Sequence, residues 1–143
     1  MKVLESLMPA LGRVLLSLIF VLAGYRKITT IAATIAQMDH QGIPYPNMLV
    51  WGAIAIELGG GTMLAAGLAT RGTAFALAAY TLALALIFHA YWAVPAAAAR
   101  SEFSAFYEHL GMIGGMLYVV WFGPGAFSID ALFGRQNRGP AAA

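Results

Sequence analysis

The sequence contains no cysteine and little charge, with eight Lys and Arg and six Asp and Glu in 143 residues. The missing cysteine excludes disulfides, thiolate metal sites, cysteine nucleophiles and iron–sulfur clusters. The missing charge excludes an ordinary soluble domain: such chains carry about 25% charged residues, whereas the share here is 10% against 61% hydrophobic. Familiar enzyme signatures are absent too. There is no P-loop, no dinucleotide-binding glycine fingerprint, no nucleophile elbow, and neither H-x-x-x-H nor E-x-x-H at helical spacing. No nucleic-acid partner is expected, and the formal charge of +2 matters mainly through where the Lys and Arg fall along the chain.

What is present is a series of apolar runs. The most informative is Trp51 to Arg71, WGAIAIELGGGTMLAAGLATR, with Glu57 inside it. About 20 residues rising 1.5 Å each cross a hydrocarbon core of about 30 Å, so Glu57 should lie near mid-depth. A carboxylate there costs at least ~2.5 kcal/mol, so it must find a partner, a cavity or a proton. Arg13, Lys27 and His89 are the candidate partners.

Four spans are expected, at about 8–24, 48–69, 72–92 and 103–122, giving an all-α integral membrane protein in a single domain. They form a four-helix transmembrane bundle. IAATIAQMDHQ, within 28–41, is too polar and short to span and reads as an interfacial amphipathic helix between spans one and two, closed by Gly42 to Asn47. Four spans put both termini on one side. Lys2, Arg71, Arg135, Arg138 and nearby Arg13 outnumber Arg26, Lys27 and Arg100 opposite, which makes the terminal side and the basic tail, 131–143, cytoplasmic. Tyr25, Tyr45, Trp51, Tyr91, Trp92 and Tyr107 collect at the outer rim as an aromatic belt. Gly111 and Gly115 form a G-x-x-x-G pair, and Gly59, Gly60 and Gly61 give the second span a shaved surface for close helix packing.

With this topology the titratable groups gather in the outer half: Glu57 near the middle, His89 one turn inside span three, and Glu108 and His109 at the start of span four. Glu108 shares a face with Gly111 and Gly115 and is expected to point inward, whereas His109 projects roughly 100° away. Imidazole and carboxylate suit zinc, iron or copper, but the spacing argues against a metal site. A quinone or similar amphiphile fits the chemistry better, with a metal left as the lesser alternative. Glu57 and His89 would carry protons, Tyr91 and Trp92 would wall the ring, and Lys27 and Arg26 would attract an anionic substrate or partner.

LGRVLLSLIFVLAGYRKI, AIELGGGTMLAAGLATRGTAFALA, IFHAYW and GPGAFSID, taken in order, resemble the DoxX family of small four-helix bacterial inner-membrane proteins. The resemblance runs from about Leu11 to Asp130 and rests on Arg13, Gly24, Lys27, Glu57 to Gly60, Arg71, His89, Gly123, Gly125, Ser128 and Asp130. It implies an inner-membrane subunit linked with redox chemistry, partnered by a soluble or membrane oxidoreductase and open to homo-oligomerisation. Arg13, Arg71, Gly60, Gly111 and Gly115 then take structural roles. Two other readings stay open. One is a transporter or channel for a small solute, metal or proton, for which only Arg13, Ser17, Thr62 and Thr70 continue a polar route past Glu57. The other is a structural anchor for a soluble oxidoreductase.

Overall fold

The computed structural model describes residues 2–136, with the backbone alone for Lys2, Val3, Glu5, Arg135 and Gln136. Every regular element among the described residues is helical. The long first apolar run forms α1, Lys2–Thr29, and a break at Thr30 starts the short α2, Ile31–His40. Pro46 opens α3, Pro46–Ala55, where a missing N–H costs nothing because first-turn donors are unpaired anyway. The helix continues through a π-turn, Ile56–Gly60, into α4, Gly61–Ala66. Gly67 ends α4 at φ +70°, a left-handed conformation that glycine adopts without a side-chain penalty. Then come α5, Thr70–Phe88, a single 3₁₀ turn, Tyr91–Ala93, α6, Ala96–Phe122, and α7, Ile129–Gln136.

Three stretches, Ser6–Thr29, Pro46–Ala66 and Thr70–Ala93, are long and apolar enough to cross a membrane. Helix α6 has 27 residues but is not among them. Arg100, Glu102, Glu108 and His109 dilute its apolar character. It also begins at Ala96, ahead of the expected 103, because Pro95 breaks the chain and four alanines after it are strong helix formers. The expected basic tail is helical at its start, in α7, while the side chains of Lys2 and Arg135, and all of Arg138, lie outside the described residues.

Helix α1 packs along the α3–α4 segment, the π-turn touches α5, α5 makes its largest contact with α6, and α6 returns to α1. Between them lies a core of Phe20, Leu64, Leu77 and Met116, each at most 3% exposed. A smaller cluster, Met38, Val50 and Ile54, holds α2 against α3. Outside, large apolar side chains such as Leu15, Leu22, Phe75 and Trp121 are exposed. A surface that apolar requires a lipid solvent.

Two clasps fix the Arg13 end. Arg13 is buried, and its guanidinium donates to the carbonyls of Leu64 and Ala65, in the last turn of α4, and to Phe127 O. Helix C-terminal carbonyls lack partners within the helix, so the two terminal guanidinium nitrogens supply both charge and hydrogen bonds there, while the buried Nε of Arg13 makes no hydrogen bond. Arg13 is therefore not the partner of Glu57. Asp130 on α7 accepts from the Ala69 and Thr70 amides and the Thr70 hydroxyl, at 2.7–2.8 Å, capping α5, while its own amide donates to Gly67 O. Burial alone would raise the Asp130 carboxyl. The three hydrogen bonds from Thr70 and Ala69, with the Arg13 charge, outweigh that and hold it below the ordinary aspartate range.

Of the glycines expected to permit close packing, Gly60 lies against Leu77 and Gly115 against Leu16, but Gly111 and Gly59 face open space. Gly61 is pressed on Phe20 and Val21, and Gly24 on Leu58 and Glu57, so the tight approach is between α1 and the π-turn. Arg71 lies over Gly123 and donates weakly to Trp121 O, 3.4 Å away.

Candidate ligand-binding site

Glu57 belongs to the π-turn, a helical irregularity that recurs at functional sites. Its side chain is 2% exposed, against 25% for Lys27 on α1. Lys27 Nζ donates to both carboxylate oxygens, at 2.7 and 2.9 Å, and the Tyr80 hydroxyl on α5 donates to Oε1 at 2.7 Å. Three charge-assisted hydrogen bonds thus replace the water that burial removed. Lys27, one of three candidate partners, is the one in contact. Tyr80 was not anticipated.

His89 caps α5 just beyond its last residue, Phe88, and bonds to Glu102 rather than to Glu57. Its Nδ1 donates to Glu102 Oε2 on α6 at 2.8 Å, with the two side chains 26% and 28% exposed. Its ring lies 4.7 Å from that of His109, centroid to centroid, and His109 Nδ1 donates to Ala105 O at 2.8 Å. So His109, expected to face away from the bundle, is turned toward α5. Its neighbour Glu108, expected inside, is exposed.

These groups line one cavity of about 1060 Å³ between α1, α2, the π-turn, α5 and α6. Its polar wall includes Arg26, Lys27, Glu57, Tyr80, His89 and His109, with the exposed Glu108, and its apolar wall includes Phe20, Met38, Leu84, Phe88 and Met112. Tyr91 and Trp92 are not part of it: they meet Phe103 and Phe106 edge-on, with Tyr107 beside them, in a separate aromatic cluster joining the 3₁₀ turn to α6. A second cavity of about 590 Å³ at the Arg13 end, bounded by Ala66, Phe127, Ser128 and Ile129, has no titratable lining residue. Between the two lies the packed layer of Phe20, Leu64, Leu77 and Met116, so the large cavity is closed on its Arg13 side.

Residues 8–90, more than half of the chain, match the family model described as DoxX. The chain belongs to the DoxX family. Among curated proteins, this DoxX protein is 35% identical over 136 residues to inner membrane protein YqjF of Escherichia coli K12, covering 95% of this chain and 99% of the relative. It is 29% identical over 120 residues to inner membrane protein YphA of the same organism, covering 84% and 86%. No solved structure matches the DoxX chain. Like those relatives it is a membrane protein, and its apolar helices meet lipid.

Proposed function

We propose that this DoxX protein is a four-span bacterial inner-membrane protein that binds a quinone, or a similar amphiphilic small molecule, as the membrane subunit of a redox system. In this reading α6 is the fourth span, α2 lies at the interface, both termini are cytoplasmic and the cavity opens to the outer half. The observation that carries it is the coupling of an apolar cavity with a deep Lys27–Glu57–Tyr80 network. The donor set suits a quinone head. Phe88, Met112 and Leu84 offer a ring-sized apolar wall, and Lys27, with one N–H beyond the two it gives Glu57, offers a donor for a carbonyl. A quinone supplies reversible uptake of two electrons and two protons. The protein's part is to hold and move protons: Glu57 accepts from Lys27 and Tyr80, and His89, tied to Glu102 near solvent, connects the cavity wall to water.

The electrons would come from an oxidoreductase partner, since no Cys is available for clusters. A route through one copy for a small solute, metal or proton is disfavoured by the closed layer beneath Glu57. A purely structural anchor would need no cavity of this size. The test is mass spectrometry of small molecules retained by the protein extracted into native nanodiscs, beside Glu57→Gln and Tyr80→Phe. A quinone near one per chain in wild type and depleted in both variants supports the reading. Its absence from wild type, in protein that also fails to take up added quinone, overturns it.

A further inference from the structure

The His89–His109 pair is not needed for the Glu57 network and has an unusual hydrogen-bond pattern. Carboxylate and carbonyl oxygens accept, so the contacts to Glu102 Oε2 and Ala105 O place a proton on Nδ1 of each ring. In the neutral rings both Nε2 atoms then carry a lone pair. Among the described residues no hydrogen bond uses either Nε2. Both rings line the cavity.

This is the arrangement found behind metal-binding imidazoles, where the second nitrogen is held by a carboxylate or a backbone carbonyl that fixes tautomer and orientation. The ring spacing also fits. With metal–nitrogen bonds of about 2.0–2.1 Å and a ring radius of ~1.1 Å, one ion shared by two imidazoles at the tetrahedral angle separates the centroids by about 5 Å. The observed separation is 4.7 Å. No group of three His, Asp or Glu side chains is gathered for an enclosed site among the described residues, so such an ion would keep open positions facing the cavity.

We propose that His89 and His109 form a two-imidazole site for a divalent transition cation, Cu²⁺ or Zn²⁺, in the wall of the large cavity. Water or a cavity ligand completes the coordination, and Glu102 acts as a positioning residue through His89 Nδ1. Imidazole donors favour these two ions, and Cu²⁺ should bind more tightly than Zn²⁺. The inference stands apart from the quinone reading, since it requires neither electrons nor a quinone.

The test uses untagged full-length protein in lipid nanodiscs, stripped with chelator and titrated with Cu²⁺ and Zn²⁺ by calorimetry, with the Cu²⁺ form recorded by electron paramagnetic resonance. Expected is one ion per chain, nitrogen hyperfine structure from two imidazoles, and at least tenfold weaker binding in His89→Gln and in His109→Gln. Glu102→Gln should weaken binding about tenfold while keeping both nitrogens, the effect expected of a partner that only orients its ligand. His40→Gln, which removes the chain's third histidine from the surface of α2, should leave binding unchanged. The proposal is overturned if the wild type binds no ion at one per chain, or if His109→Gln, with a near-ultraviolet spectrum matching wild type, binds as well as wild type.

Discussion

Replacing Lys27 with methionine leaves a carboxylate that is 2% exposed without its cation. Removing one member of a buried ion pair costs about 3–5 kcal/mol, because the other charge remains desolvated. Two features reduce that here. Lys27 is itself 25% exposed, so part of the pair's field is screened by solvent, and Glu57 retains the Tyr80 hydroxyl. A cost of about 2–3 kcal/mol is therefore expected for Lys27→Met. Glu57→Gln differs in kind. It leaves a lysine whose ammonium can swing toward solvent, and a neutral amide that still accepts from Tyr80, so about 1 kcal/mol is expected. The double variant Lys27→Met/Glu57→Gln should be more stable than Lys27→Met alone by at least about 1 kcal/mol, since the stranded charge is gone. Equilibrium unfolding in mixed micelles of mild detergent and dodecyl sulfate measures all four proteins. Equal stability of Lys27→Met and wild type, or a double variant no better than Lys27→Met, would refute the account of Glu57 as a desolvated charge dependent on Lys27.

Tyr80→Phe removes a hydrogen bond to a charged acceptor and should cost about 1.5–3 kcal/mol in the same unfolding assay, with no added loss when Glu57 is already Ala. Gly67→Ala should destabilise by about 2 kcal/mol or more, because φ is +70° and the new Cβ would meet the Arg13 guanidinium and Ser128, and circular dichroism on heating reads it. Asp130→Asn weakens the α5 cap and should cost about 1 kcal/mol at neutral pH. Since the folded Asp130 carboxyl sits below its unfolded value, that contribution is fully present above about pH 4 and is lost as pH falls through the folded value. Wild type and Asp130→Asn should therefore converge in stability on acidification below pH 4.

Long apolar runs are readable because the bilayer sets their length, and Glu57 stood out because no other charge falls in its run before the closing Arg71. The contacts made by polar side chains were harder to read. Tyr80 sits in an aliphatic helix where a tyrosine passes for an apolar residue, and only the closeness of the π-turn to α5 turns its hydroxyl into a partner. Arg13 was considered as a partner for a carboxylate, whereas it binds carbonyls. That depended on α4 stopping at Gly67, and a glycine in a run containing four others does not announce which one ends the helix. Placing the fourth helix at 103 left Glu102 outside it. Starting it at Ala96 puts Glu102 on the helix face beside His89, and carries His109, seven residues on, to the same side.

The bare backbone at Gly24 sits where α1 meets the π-turn, and a Cβ there would come within 2.7 Å of Leu58 and 3.2 Å of the Glu57 Cβ. Lys27 is one turn further along the same helix. The gap between the two helices is thus gauged by a missing methyl group, and the reach of the lysine ammonium is matched to that gap. Enlarging residue 24 would pry the acid away from its cation while leaving every charged residue in place. In a random-mutation screen, a neutral, apolar change at that position should look like the loss of Lys27 itself.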